Sequence, residues 1–215
     1  MSPILEFQNL RCERDERVLF EGLSCQIDSG AIVQVQGPNG SGKTTLLRIV
    51  LGLNAGFTGD ILFHGVPIAP QRLQFCQQLL YIGHLPAINR SLTPLENLRW
   101  FDQLQGHKSD TSLMEALKAV GLRGFEDVSG HHLSAGQHRR VALARLFLTR
   151  ALLWVLDEPF TAIDTQGVDK LRALFADHVA RGGTVLLTTH QDLGLERVQL
   201  LNLGDFRPGS NRKAA

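Results

Sequence analysis

The chain has 215 residues, with 22 Lys and Arg against 21 Asp and Glu, a net charge of +1 and 43% hydrophobic content. That length fits one domain, and ordinary apolar and charged usage excludes disordered and fibrous classes. Near-neutrality argues against a surface built for nucleic acid or anionic lipid.

In chain order, Met1 to Glu6 carries neither a basic run nor a long apolar run, which argues against a leader peptide. Ile4-Leu5-Glu6-Phe7, Leu23 to Ile27 and, most clearly, Ala31 to Gln36 alternate as strands. Ile61 to Ile68 reads as an edge hairpin, Gly65 supplying positive φ at its turn. Thr93-Pro94-Leu95-Glu96 has capping-box spacing with Pro at the first helical position, and opens a helix through Leu98, Trp100 and Leu104. Ser109 or Asp110 can cap a second helix carrying Leu113, Leu117 and Val120 and stopped by Gly121. Arg139 to Arg150 is expected to form an Arg-rich amphipathic helix. The most apolar stretch, Val141 to Leu156, is broken by Arg145 and Arg150, well short of the roughly 20 apolar residues of a spanning helix. Leu152 to Leu156 and Thr184 to Leu187 are continuously apolar, the pattern of parallel strands covered on both faces. Between them Val168, Leu171, Leu174 and Phe175 mark a helix ended by Gly182-Gly183. The expected organisation is one domain over 1–215. A core of 1–84 and 146–206 holds a helical lobe at 85–145, and 207–215 is a frayed tail. Cys12, Cys25 and Cys76, odd in number and widely spaced, read as buried reduced thiols of a cytosolic protein.

Three segments carry chemistry. Gly37-Pro38-Asn39-Gly40-Ser41-Gly42-Lys43-Thr44, followed by Thr45, fits G-x-x-x-x-G-K-[ST] between a strand and an apolar helix. Its glycines let backbone N–H groups turn onto phosphate, Lys43 neutralises β- and γ-oxygens, and Thr44 offers a hydroxyl to Mg²⁺. Asp157-Glu158 ends a buried strand at the sheet edge where ligands bind in open α/β folds. Asp157 suits Mg²⁺, and Glu158 suits the positioning and polarising of an attacking water. Leu133-Ser134-Ala135-Gly136-Gln137 sets Ser134 and Gln137 at capping-box spacing and makes a second anion site at a helix start.

With these residues in view, the chain resembles the ATP-binding cassette (ABC) ATPases over essentially its whole length. LSAGQ is similar to their LSGGQ signature, with Ala135 the one change. Thr161-Ala162-Ile163-Asp164 resembles the D-loop, and His190 the switch histidine that contacts the γ-phosphate. The resemblance implies an α/β fold: a P-loop NTPase cassette with a RecA-like mixed sheet core, a small antiparallel β edge and an inserted helical lobe. It implies ATP and Mg²⁺ as cofactors and a head-to-tail homodimer, each ATP lying between the P-loop of one copy and Ser134 of the other. The position of the family's Q-loop glutamine falls on His84, whose imidazole has a different reach and can take a charge. The family's adenine-stacking aromatic falls near Arg14, which either stacks through its guanidinium or is a solvated charge among Glu13, Asp15 and Glu16.

Shorter strings are similar to one subfamily, the bacterial haem-exporter ATPases of cytochrome c biogenesis. They are Glu13 to Arg17, Gly83-His84, Leu133 to Leu146, Asp157 to Ala162 and Thr188 to Gln191. That likeness implies a peripheral protein on the cytoplasmic side of the inner membrane, docked on integral membrane transporter subunits, with no nucleic-acid partner. Haem is not expected to bind this subunit directly, since His131 and His132 read as solvated surface. An ATPase of another exporter or importer is the alternative. Repair-type cassettes are disfavoured because Lys43 and Ser134 are too close for an intervening coiled coil. Ribosomal types are usually basic and paired in one chain.

Overall fold

A computed structural model of the chain describes residues 3–106, 111–195 and 197–209. In chain order these form β1 (Pro3–Arg14), β2 (Arg17–Asp28), β3 (Ile32–Gln36), α1 (Lys43–Val50), β4 (Phe57–Phe63), β5 (Val66–Pro67), α2 (Arg72–Gln77) and β6 (Leu79–Ile82). They continue as α3 (Pro94–Leu104), α4 (Leu113–Ala119), α5 (Ala135–Ala144), β7 (Leu153–Asp157), α6 (Thr165–Ala180), β8 (Thr184–Thr188) and β9 (Val198–Asn202).

Parallel and antiparallel strands are divided between two sheets. One is antiparallel in the order β2-β1-β4-β5 and the other wholly parallel in the order β6-β7-β8-β3-β9. The first hairpin is longer than its alternation suggests, because the exposed Arg11, Glu13, Arg14 and Arg17 mask its outer half. Asp15 and Glu16, both at positive φ, turn it. His64-Gly65 turns the expected edge hairpin in the same way. Every residue of β7 and β8 is buried, as their unbroken apolar runs require.

Three apolar clusters hold these layers. The first joins Leu10, Phe20 and Ile27 of the hairpin to Val33 and Val35 of β3 and Leu46 and Ile49 of α1. On the other face of the parallel sheet, Trp154, Leu156 and Leu187 pack on Leu143 of α5 and on Leu171 and Phe175 of α6. Leu98 of α3, Leu117 of α4 and Val141 and Ala144 of α5 form the third, with Leu133. Each such large side chain contributes about 2 kcal/mol by leaving water. Because α5 serves two clusters, it mechanically joins the helices of the third cluster to the parallel sheet.

Capping follows the sequence closely. Thr93 with Glu96, and Ser134 with Gln137, make reciprocal capping boxes. The second helix differs from expectation: Ser112, with Glu115, caps it, while Ser109 and Asp110 lie outside the described residues. The Arg-rich segment also differs. Its α-helix stops at Ala144, a 3-10 turn covers Arg145–Phe147, and Arg139 and Arg145 are buried, with backbone carbonyls accepting from their terminal Nη atoms. Cys12 is buried, Cys25 is half-buried with its thiol pushed up to about 12 by desolvation, and Cys76, expected to be buried, is exposed on α2. Of the expected frayed tail, Arg207 to Gly209 are described and 210–215 lie outside the described residues. Among the described residues no helix is long and apolar enough to cross a membrane.

Candidate nucleotide site

β3 delivers the chain into the phosphate loop. Gly37 leaves it at a φ of 143°, and a Cβ there would lie 2.6 Å from Ser41 Oγ, so only glycine fits. Gly42 is the N-cap of α1 without any side-chain cap, which leaves the first N–H groups of the helix available to an anion. Lys43 Nζ curls over the loop and donates to Gly37 O at 2.7 Å and Pro38 O at 3.3 Å. Among the described residues the buried Ser41 Oγ has no hydrogen-bond partner.

Two more strand ends close the site from the opposite side. Asp157, 3% exposed at the end of β7, accepts from Thr188 Oγ1 at 2.6 Å and from Thr44 Oγ1 at 3.3 Å. Glu158 follows in the left-handed region at a φ of 51°, its N–H held by Thr188 O and Thr188 Oγ1, both at 3.1 Å. A non-glycine residue persists there only when its surroundings over-determine it. His190 Nε2 stands 3.7 Å from Glu158 Oε1. A cleft of about 660 Å³ brings together Lys43, Thr44, His84, Asp157, Glu158 and His190. Thr161, the first residue of the D-loop-like segment, lines it as well, and so does Thr188, to which the sequence motifs assign no role at the site. The adjacent oxygens of Thr44 and Asp157 are hard donors of the kind Mg²⁺ takes, so the residues present fit that ion.

Other sequence-derived candidates lie elsewhere. Leu133 to Gln137 do not border the cleft; Leu133 is buried in the third cluster, and Ser134 caps α5 at the surface. Ser134 Oγ accepts from Gln137 N at 3.2 Å, which leaves its hydroxyl proton to donate outward. Asp164 caps α6. The N–H of Gly167 at 2.7 Å, then Arg140 Nη2 at 2.6 Å, hold its carboxyl below the usual range. Arg14 is exposed, 3.4 Å from Asp15, and Arg17 rather than Arg14 borders a hollow of about 170 Å³ beside Gly40 and Ser41, with Arg207 and Pro208 opposite.

Fold and cleft together define a class: a cassette that grips a nucleoside triphosphate at the carboxyl edge of a parallel sheet and cleaves it. The family model for the ABC transporter matches residues 20–161. The cytochrome c biogenesis ATP-binding export protein of Pseudomonas fluorescens is 53% identical over 192 residues, covering 89% of this chain and 91% of that one. Its namesake from an Escherichia coli O6:H1 strain is 51% identical over 208 residues, covering 96% and 99%. Among solved structures, the ATP-binding subunit of an ABC transporter superposes with a TM-score of 0.79 at 25% identity, covering 94% of this chain and 87% of that one. An ATP-binding cassette solved as a dimer with ADP and Pi has the same fold, with a TM-score of 0.74 at 23% identity, covering 87% and 88%. The chain therefore belongs to the ABC transporter family, within its group of cytochrome c biogenesis ATP-binding export proteins. It is an ATP-binding, ATP-hydrolysing subunit.

Proposed function

We propose that this chain drives the export step of cytochrome c biogenesis by hydrolysing ATP on integral membrane subunits, supporting haem export or release of a haem-loaded chaperone. The observation that carries the reading is the convergence of Lys43, Asp157, Glu158 and His190 on one cleft, in a chain matched almost end to end by relatives named for that process. Two copies act as a head-to-tail homodimer. The loop from Gly37 to Thr45 grips the phosphates of one nucleotide, and Ser134 of the second copy donates its free hydroxyl proton to the γ-phosphate. The bridge exists only with the triphosphate, so ATP favours the closed pair by its differential contacts.

Glu158 orients a water and takes up its proton at Oε1 as the oxygen attacks the γ-phosphorus. His190, beside that carboxylate, donates to the γ-phosphate. The bond to the β–γ bridging oxygen breaks, leaving ADP and inorganic phosphate, and the bridge to Ser134 is lost. Thr44 and Asp157 would hold Mg²⁺, which when bound neutralises phosphate charge. His84 faces the same cleft and takes the place of the usual glutamine. Residues 85–145 form the helical lobe that passes the motion to a membrane subunit on the cytoplasmic side of the bacterial inner membrane. The test is affinity capture of the tagged chain from detergent-solubilised inner membrane. Recovery of integral haem-handling subunits is the expected result, and recovery of ribosomes or DNA-bound proteins would overturn the class of partner.

A further inference from the structure

Arg139 lies on α5 and is 4% exposed. Among the described residues its three hydrogen-bond partners are backbone carbonyls, and they come from two different strand ends. Nη1 donates to Gly83 O at 2.5 Å, and Nη2 donates to Asp157 O and Glu158 O, both at 2.8 Å. Burying a guanidinium is costly, and a packing role would be served by an apolar side chain of similar volume. These acceptors are also the particular peptides that aim the cleft. Gly83 precedes His84 where the chain leaves β6, and Asp157 and Glu158 end β7. The Glu158 peptide is thus gripped from both sides, its N–H by Thr188 and its carbonyl by Arg139. That double grip accounts for the persistence of its left-handed φ. Five residues earlier on the same helix stands Ser134, about 7.5 Å away along the axis at 1.5 Å per residue.

We infer that Arg139 is a positioning residue, the link through which the placement of the Ser134 helix sets the Glu158 carboxylate and the His84 segment for hydrolysis. A planar fork with fixed donor directions transmits a shift or rotation of α5 to both strand ends at once, which a flexible ammonium does not. Engagement of Ser134 by a second copy then adjusts the very peptide that carries the water-orienting carboxylate. The inference rests on the proposed role of Glu158.

The test compares R139Q, R139K, E158Q and R139Q/E158Q in the full chain, both alone and in its membrane complex. Affinity is read with a fluorescent ATP analogue, and steady-state ATP turnover and thermal melting are measured alongside. R139Q is expected to bind the analogue within twofold of the parent while kcat falls at least tenfold. R139K, which keeps the charge but not the fork, should fall between the two. The double variant should turn over less than tenfold more slowly than E158Q alone, because Arg139 acts chiefly through that carboxylate. If R139Q does not fold, R139K carries the same comparison. Parental kcat in both Arg139 variants, an affinity loss equal to the kcat loss, or a further tenfold drop in the double variant would each overturn the inference. Parental turnover in E158Q would instead overturn the reading of Glu158 on which it rests.

Discussion

His178, on α6, stacks flat on Trp154, with ring centroids 3.6 Å apart and planes 7° from parallel, and its Nε2 lies 3.2 Å from Leu152 O. Burial, with a smaller push from the charge on Arg181, lowers its pKa from 6.5 to about 4. The unfolded chain therefore takes up a proton between those values that the folded chain refuses. Stability contributed by the neutral ring is complete above pH 6.5 and is lost as pH falls toward 4. The full gap is worth about 3 kcal/mol, of which about 2 kcal/mol is gone at pH 5. Urea unfolding of the parent and of His178→Phe, which keeps a ring but cannot titrate, isolates this term from the carboxylates. Relative to the variant, the parent is expected to weaken by about 2 kcal/mol between pH 7.5 and pH 5. A difference between the two proteins that stays flat over that interval would refute the reasoning.

Two further predictions concern the site. Thr188→Val removes the hydroxyl that donates to Asp157 at 2.6 Å and accepts from Glu158 N. Losing a buried hydrogen bond to a charged group costs about 2 kcal/mol, so the melting temperature should drop by about 5 °C; an unchanged melt would mean that Asp157 is held some other way. Ser134→Ala deletes the N-cap of α5, at about 1 kcal/mol, together with the proposed contact across the dimer. The single copy should still bind ATP with parental affinity while turnover collapses, and parental turnover would show that Ser134 makes no such contact.

How much could be read in advance depended on whether a residue's role was local. The phosphate loop, the capping boxes at Thr93 and Ser134 and the buried strands are governed by spacing within a few residues, and each was legible. The cap on α4 slipped because Ser112, like Ser109 and Asp110, satisfies the same local rule, and only Glu115 three residues on decides among them. Thr188 lies across the sheet from Asp157, which β7–β8 register alone brings into contact. Arg139 and Arg145 looked like the polar face of a helix because backbone carbonyls from distant strands and loops leave no mark in the sequence. Likewise, the outer half of the β1–β2 hairpin is polar on its exposed face, so its pairing shows only once both strands are laid side by side.

The central claim is that hydrolysis happens at a cleft completed by a second copy and depends on the carboxylate of Glu158. Light scattering of Glu158→Gln with and without Mg²⁺ and ATP, alongside phosphate release, tests it directly. The account predicts a mass that doubles only with ATP and turnover reduced about 100-fold or more. A variant that stays at the mass of one chain with ATP and releases phosphate as fast as the parent would contradict it.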